Sequence, residues 1–425
     1  MDGRVDAGTP TQPRERLEVI DVLRGFALFG ILLVNLPIFA LPLRPPSPLD
    51  VGYSYLDRVL DLAINLLARG RFFSLFSFLF GLGFALQLLR LEARGISFGR
   101  WYTRRLLILL GIGLIHTFFI WHGDILTTYA LAGFALLPFR YRSARTVLTW
   151  CAICLAFPLV LSSVQHGIDA YLRADPGTAA AMDRALEVQD QVALERSKEA
   201  IRRYSSGTWG EVMAQRVDDL IVEYDPDTLL KTVPQIFGMF LLGLYAGRTR
   251  LFEDVPKHLP LVRAVWWCGL ALGLMEMLLT LGWMMPGSPK APIIIEGIWG
   301  GIHQVNRTAL CLFYVSSGIL LYRRERVRSY ISVLALPGRA ALTNYLMQSV
   351  VCTLIFYSYG LGFYGKFRVS TGLVVTIVIY LTQIAASSWW LKRFRFGPLE
   401  WAWRSLTYGK VQKMAVESGS APHPV

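Results

Sequence analysis

A histidine and a later aspartate are the residues in this sequence best suited to acid–base chemistry. His116 lies within a long apolar segment, and Asp124 follows directly after the short polar stretch His122-Gly123. An imidazole takes up and returns a proton near neutral pH, and a neighbouring carboxylate can orient the ring. We therefore interpret His116 as a general base that Asp124 positions. The alternatives are a histidine satisfied by a neighbouring helix and an aspartate that caps the next helix.

A second candidate site lies in the first apolar segment. Asp21 and Arg24 stand at its beginning, and a lone amide, Asn35, lies further in. At about 1.5 Å of helix rise per residue, Asn35 is expected to lie about 15 Å into the segment, near the middle of a bilayer. A hydrocarbon interior tolerates an amide only where protein or cavity water satisfies it. The sequence therefore predicts that Asn35 faces a polar site.

Further polar side chains interrupt the later apolar segments, and we predict that they contact a substrate. They are Arg71, Asn306, Arg307, Asn344 and Gln348. An arginine at membrane depth needs an anion, water or a cavity. A structural ion pair is the alternative for Arg307, and polar contacts between helices are the alternative for Asn344 and Gln348.

The elements that position these residues are apolar helices. Hydrophobic residues make up 54% of the 425 positions, and the mean hydropathy is +0.43. Many apolar runs are long enough to cross a bilayer of about 30 Å as a helix. The sequence predicts an all-α polytopic membrane protein with about ten transmembrane helices. The predicted spans are residues 25–43, 72–90, 105–121, 124–139, 146–164, 232–248, 261–285, 296–321, 338–358 and 371–391.

The distribution of basic residues predicts the orientation of these helices. The formal net charge is +13, and most arginines and lysines fall in every second short connection, for example at Arg104 and Arg105. Cytoplasmic loops carry such an excess, so both termini are predicted to face the cytoplasm. The charge is thereby explained by topology, and no nucleic acid is expected as a partner. Arg24, Arg104 and Arg105 then form a basic ring at the cytoplasmic face that favours an anionic ligand.

The chain divides into five predicted regions. In the long segment 165–231, acidic and basic residues alternate, as on a solvated helix. This segment is either a cap over an outward opening or a solvated spacer. Cys151 and Cys154 have no second pair or nearby histidine, so they are assigned to helix packing, and no metal site is expected. The regions are a disordered N-terminus (1–19), a first bundle of five spans (20–164), an extracytoplasmic helical segment (165–231), a second bundle of five spans (232–392) and a basic cytoplasmic tail (393–425).

Several motifs resemble those of the YeiB family of bacterial membrane proteins. They are Leu17-Glu-Val-Ile-Asp21-Val-Leu-Arg24-Gly25 with Val34-Asn35, Arg71-Phe-Phe-Ser-Leu-Phe-Ser-Phe-Leu-Phe-Gly81, Trp121-His-Gly-Asp124-Ile-Leu after His116, Gly338-Arg-Ala-Ala-Leu-Thr-Asn-Tyr-Leu-Met-Gln348 and Arg395-Phe-Gly-Pro-Leu-Glu-Trp-Ala-Trp403-Arg. The likeness extends from about residue 17 to 410. The family is similar in its N-terminal part to heparan-α-glucosaminide N-acetyltransferase, which carries acetyl groups from cytosolic acetyl-CoA across a membrane.

The resemblance implies a transmembrane acyltransferase in the bacterial inner membrane. It implies acyl-CoA, most simply acetyl-CoA, as the donor, with Asp21 and Arg24 at its binding site and Asn35 assisting transfer. The basic ring adds Arg104 and Arg105 to the predicted donor site. In the acetyltransferase, the catalytic histidine follows the asparagine in the first outer loop, whereas residues 36–70 contain no histidine here. His116 is therefore our candidate for that role.

The partners expected are the lipid bilayer, acyl-CoA, an extracytoplasmic acceptor and a second copy of the chain in a homodimer. The alternative function is a transporter or exporter of an anionic small molecule. In that case Arg24, Arg307 and His116 would act as counter-ions and proton relay.

Overall fold

The computed structural model describes residues 17–43, 54–283 and 293–416, and within these ranges the chain is helical, without a named β-strand. The disordered N-terminus that we predicted falls mainly outside the described residues, as does the end of the basic tail. The helices are α1 (Glu18–Ala40), α2 (Tyr55–Leu67), α3 (Arg71–Ala93), α4 (Phe98–Phe119), α5 (Leu126–Leu136), α6 (Ala144–Leu172), α7 (Pro176–Ser206), α8 (Trp209–Glu223), α9 (Pro226–Arg248), α10 (Val255–Trp283), α11 (Ile293–Tyr322), α12 (Glu325–Ile331), α13 (Ala335–Arg339), α14 (Ala341–Phe356), α15 (Val369–Leu391) and α16 (Pro398–Tyr408).

The described chain contains eight helical segments that are long and apolar enough to cross a membrane. The other two predicted spans correspond to shorter helices. Helix α14 has 16 residues and α5 has 11, the latter continuing into a 3₁₀ turn. At about 1.5 Å per residue, they are about 24 and 16 Å long, less than a hydrocarbon core of about 30 Å. The all-helical, membrane-type architecture is confirmed, while ten full spans and cytoplasmic termini remain predictions.

Helices from both halves of the sequence pack into one another. Small residues allow α3 and α9 to approach closely, because side chains on Gly81 and Gly243 would overlap backbone carbonyl oxygens of the opposite helix. One turn further along, Gly247 faces Ala85. Such spacing of small residues is a common means of association between membrane helices, where burial of apolar surface provides little driving force. Gly81, Gly243 and Gly247 thus serve the close packing of α3 on α9.

The segment between α6 and α9 forms a cap over one end of the bundle. The Tyr204 ring of α7 stacks on Tyr357, with ring centroids 4.3 Å apart, and the Tyr204 carbonyl accepts a hydrogen bond from Ser358 N–H at 2.6 Å. From α8, Arg216 Nη1 donates to the Phe118 carbonyl at the end of α4. These contacts favour the cap over the solvated spacer.

The opposite end of the bundle is closed in part by α16. The Glu400 carboxylate accepts hydrogen bonds from the backbone N–H groups of Leu342 and Thr343 at 2.6 and 3.1 Å, so it caps the start of α14 from another helix. The indole of Trp403 donates to the Arg105 carbonyl at 3.0 Å. We call the end that carries Arg24 and Arg105 the inner end, and the end that carries α7 and α8 the outer end.

The contact between α3 and α9 yields a stability prediction. Gly81→Ala should lower the free energy of unfolding by about 1–3 kcal/mol, because the added methyl group overlaps the Phe240 carbonyl. Gly111→Ala on α4 is the matched control, because its Cβ would meet nothing within 4 Å. It should be neutral or stabilising by up to about 1 kcal/mol. Thermal unfolding of both variants in detergent is the measurement, and equal stability of the two would contradict the close helix contact.

Candidate functional site

His116 and Asp124 form a buried pair at the outer end of α4. His116 Nδ1 lies 2.8 Å from Asp124 Oδ1, and both side chains are completely shielded from solvent. The chain can place them together because α4 ends at Phe119 and a short turn leads into α5. The other carboxylate oxygen, Oδ2, accepts the Thr127 N–H at 2.7 Å. Asp124 therefore orients the histidine and caps α5 at the same time, so the two interpretations weighed for it are compatible.

The second ring nitrogen of His116, Nε2, is the one available to accept a proton. Nε2 is buried and has no hydrogen-bond partner among the described residues. With Nδ1 held by a carboxylate, a neutral imidazole carries its proton on Nδ1 and presents a lone pair at Nε2. This is the arrangement that a general base requires, because the carboxylate stabilises the imidazolium that forms.

Aromatic rings surround this pair. The Tyr345 and Trp121 ring centroids lie 5.4 and 6.3 Å from that of His116. The Tyr345 hydroxyl accepts the Ile125 N–H at 3.3 Å, which ties α14 to the turn after His116. Sequence reasoning did not single out Tyr345 as a site residue, although it stands in the Gly338–Gln348 motif next to Asn344. Its position shows that the motif supplies an aromatic wall beside the histidine.

Asn35 is half-buried on α1. It lies four residues before Phe39, whose ring stacks on Trp121 with centroids 3.8 Å apart. Residues four apart share one face of a helix. Asn35 therefore lies on the same side of α1 as Phe39, which contacts one of the aromatic residues beside His116.

A cavity of about 270 Å³ opens at the inner end of the bundle. Predicted donor-binding residues Asp21, Arg24 and Arg105 line it, whereas Arg104 is exposed and lies outside its lining. The lining also contains three arginines that sequence reasoning missed, together with aromatic residues. These are Arg90, Arg339 and Arg404, with Trp101, Trp403 and Tyr408.

This inner cavity has a strongly basic mouth and an aromatic interior. Asp21 is 3.0 Å from Arg24, and the Arg105 guanidinium lies 3.6 Å from the centroid of the Trp403 ring. Its lining extends inward to Ile125 and Tyr345, the residues that contact the turn after His116. The cavity therefore extends from the basic inner end to Tyr345, which lies beside His116, although His116 itself is not part of the lining.

The five predicted substrate-binding residues do not form one site. Arg71 is engaged within the protein, because Nη2 contacts both oxygens of Glu276 at 3.0 and 2.8 Å and Nη1 donates to backbone carbonyls. The Asn344 amide bonds to Ser387, and that of Gln348 bonds to Gln383. Asn344 and Gln348 therefore make polar contacts between helices, as the alternative for them predicted.

Asn306 and Arg307 lie on α11. They belong to a separate cluster, which also includes the outer end of α3. Glu276, the partner of Arg71, was missed. It is the lone carboxylate in the otherwise apolar part of α10, and that isolation was the available signal.

A larger cleft of about 840 Å³ lies in the cap, between α7 and α8. Its lining includes Asp219, whose Oδ2 is 3.9 Å from His122 Nδ1 in the turn after α4. Burial lowers the pKa of His122 to about 3, and Arg216 and His116 act in the same direction, so the His122 ring is neutral. Within the described residues, no group of three or more His, Cys, Asp or Glu side chains is placed to hold a metal ion.

The His116–Asp124 pair can be tested for energetic coupling. Asp124→Asn keeps an acceptor for the Thr127 N–H and removes the charge that faces the imidazole. In a double-mutant cycle with His116→Ala, we expect a coupling of about 1–3 kcal/mol, as for a buried charge-assisted hydrogen bond. The exposed Asp183→Asn on α7 is the control, and it should add to His116→Ala within about 0.5 kcal/mol. Additive effects of His116→Ala and Asp124→Asn on thermal unfolding would show that the pair is not coupled.

Residues 246–410 match the family described as "Protein of unknown function (DUF418)". The sequence is 36% identical to the uncharacterized protein YxaH of Bacillus subtilis, over 96% of this chain and 98% of YxaH. It is 29% identical to the uncharacterized protein YeiB of Escherichia coli, over 92% of this chain and 96% of YeiB. An uncharacterized 39.9 kDa protein in the amylase 3′ region of Bacillus acidopullulyticus is 28% identical, over 93% of this chain and 95% of that protein. This similarity along nearly the full length confirms what the motifs predicted: the chain belongs to the YeiB family.

Proposed function

We propose that this protein is a transmembrane acyltransferase that moves an acyl group from acyl-CoA at the inner end to an acceptor at the outer end. One observation carries the proposal. The basic inner cavity and the buried His116–Asp124 pair share a wall, formed by Ile125 and Tyr345. An anionic donor in the cavity and the candidate base would thus lie on the two sides of the same two residues.

The inner cavity suits part of a CoA thioester. Pockets for drug-sized ligands occupy about 300–1,000 Å³, so a cavity of about 270 Å³ admits the pantetheine arm and acyl group but not the nucleotide. The nucleotide phosphates would remain at the mouth, where Arg24, Arg90 and Arg404 supply guanidinium groups. Guanidinium is well matched to phosphate oxygens in both charge and geometry.

For the chemistry, the thioester carbonyl would have to reach His116 past Ile125 and Tyr345, because neither His116 nor Asn35 lines the cavity. His116 Nε2 would take the proton from an acceptor amine or hydroxyl as the nucleophile attacks the thioester carbonyl. The Asn35 amide would donate a hydrogen bond to the carbonyl oxygen while negative charge develops on it. The carbon–sulfur bond then breaks, and the imidazolium returns its proton to the departing CoA thiolate. Asp124 stabilises the imidazolium between the two proton transfers.

The acceptor would approach from the opposite side, through the cleft in the cap. Asp219 lines this cleft and also lies beside His122, in the turn that carries the chain from His116 to Asp124. A sugar, an envelope precursor or a small metabolite fits the volume of about 840 Å³. The resemblance to a transmembrane acetyltransferase makes an acetyl group the simplest donor group.

The proposal predicts that CoA thioesters stabilise the protein. Acetyl-CoA should raise the melting temperature of the detergent-purified protein in a dose-dependent manner, by mass action on the folded state. Arg24→Ala and Arg105→Ala should each raise the acetyl-CoA concentration needed for half-saturation by about 10-fold or more, as expected when a charge-assisted hydrogen bond is lost. Arg145→Ala, on an exposed arginine outside the cavity, is the control. If no acyl-CoA shifts the melting of a cooperatively unfolding protein, the anion-transporter alternative takes precedence.

The proposal also predicts a separation between binding and chemistry. His116→Ala and Asn35→Ala should keep the stabilisation by acetyl-CoA and abolish transfer of labelled acetyl groups to a panel of amine and hydroxyl acceptors. For Asn35→Ala, a loss of about 10²–10³-fold in kcat is expected from the missing hydrogen bond to the oxyanion. His166→Ala and Asn65→Ala, at sites away from the shared wall, are the matched controls. Full activity of a folded His116→Ala protein would remove the proposed base.

A further inference from the structure

Among the described residues, cationic groups exceed carboxylates around the outer end of α3. Arg71 and Glu276 neutralise each other, and the ring of His303 also contacts Glu276. Of the two further cations there, Arg69 is exposed and Arg307 is half-buried. Within the described ranges, no carboxylate lies within ion-pair distance of Arg307, and the charged groups that act on it are Glu276, Arg69 and Arg71.

The surroundings of Arg307 compensate its charge poorly. Its Nη1 donates to the Gln304 side-chain oxygen at 3.3 Å, and its Nε is shielded from solvent without a described partner. The side chain lies over the turn before α3, because a Cβ on Gly70 would be 2.9 Å from Arg307 Cδ. A guanidinium at this depth in an apolar bundle is costly unless an anion or water accompanies it.

Asn306 supplies an independent sign of a missing ligand. Its side chain is 2% exposed, and neither its amide nitrogen nor its amide oxygen has a hydrogen-bond partner in the described part of the chain. Buried polar groups are nearly always satisfied, and an unsatisfied amide costs about 1–3 kcal/mol. Residues three and four apart share a helix face, so His303, Asn306 and Arg307 occupy the same side of α11.

The start of α3 adds further positive potential. Gly70 is the residue before the first turn of α3, in a left-handed conformation with φ of +79°, and no side chain caps the helix there. The N-terminus of a helix carries a partial positive charge, although the first N–H groups of α3, those of Arg71 and Phe72, already bond to the Ala68 carbonyl at 3.0 and 3.5 Å. It faces the same turn that the Arg307 side chain covers.

We propose that the outer end of α11 and the Gly70 turn form a binding site for a phosphate group. The Arg307 guanidinium and the Asn306 amide nitrogen would donate to the phosphate oxygens, with His303 on the same helix face. The planar, forked donors of a guanidinium match the oxygens of a phosphate better than they match a spherical ion such as chloride. The phosphate could be the headgroup of an anionic lipid or a free solute. The site stands apart from the inner cavity, and it does not depend on acyl transfer.

Titration of the wild-type protein distinguishes the two sources. Delipidated protein in a neutral detergent is melted with increasing inorganic phosphate, against potassium chloride at equal ionic strength. In parallel, it is melted with phosphatidylglycerol in mixed micelles, against phosphatidylcholine. We expect a saturable rise of the melting temperature with one of the two phosphate probes and none with its control. Stabilisation by phosphatidylglycerol alone identifies a lipid site, and stabilisation by inorganic phosphate identifies a solute site.

Variants connect the effect to this cluster. Arg307→Gln should raise the half-saturating concentration at least 10-fold, and Arg307→Lys should give a smaller loss, because it keeps the charge without the planar fork. Arg326→Gln, at an exposed arginine after α11, is the matched control and should leave the titration unchanged. Absence of saturable stabilisation in the wild type overturns the proposal, as does an unchanged titration in Arg307→Gln. If that variant does not fold, the wild-type titration and Arg307→Lys decide. The part of the acetyl-CoA stabilisation that Arg24→Ala weakens reports on the inner cavity.

Discussion

Polar groups inside an apolar helical bundle must find their partners within the protein, and this constraint shapes the structure described here. A buried charge or amide without a partner costs several kcal/mol in such surroundings. His116 therefore meets Asp124, Arg71 meets Glu276, and Asn344 meets Ser387. Each of these pairs joins two different helices or the two arms of a turn. The same contacts that satisfy the polar groups thus fix how the helices sit against one another.

This constraint also separates structural polar residues from candidates for function. Gln348 and Asn344 use their amides to bond neighbouring helices, and Arg71 uses its guanidinium in the same way. His116 Nε2 and the Asn306 amide have no such partner among the described residues. Groups of the second kind are the ones available to a ligand or a reacting proton. For this reason, the proposed functions rest on His116 and on the cluster around Arg307.

Local sequence was sufficient for the helices and for contacts made over a short distance along the chain. The apolar runs predicted the helical membrane architecture, and the eight-residue interval between His116 and Asp124 allowed a turn to bring them together. Contacts between residues that are far apart in the sequence could not be predicted. Glu276 lies 205 residues from Arg71, and a single sequence does not encode which apolar helix will deliver a carboxylate. The inner cavity was only partly predicted, because Arg339 and Arg404 reach it from helices whose packing is a tertiary property.

The cap that Glu400 places on α14 has a consequence for biogenesis. Helix α14 carries Tyr345 beside His116. The carboxylate that caps its first turn at Leu342 comes from Glu400 of α16, which is 58 residues further along the chain. A chain emerging from the ribosome therefore inserts α14 before its cap has been synthesised. Until α16 packs against it, the N–H groups of Leu342 and Thr343 lack this acceptor. A chain truncated before residue 400 would therefore keep His116, Asp124 and Tyr345 but lose the cap on α14 and also Arg404 of the inner cavity.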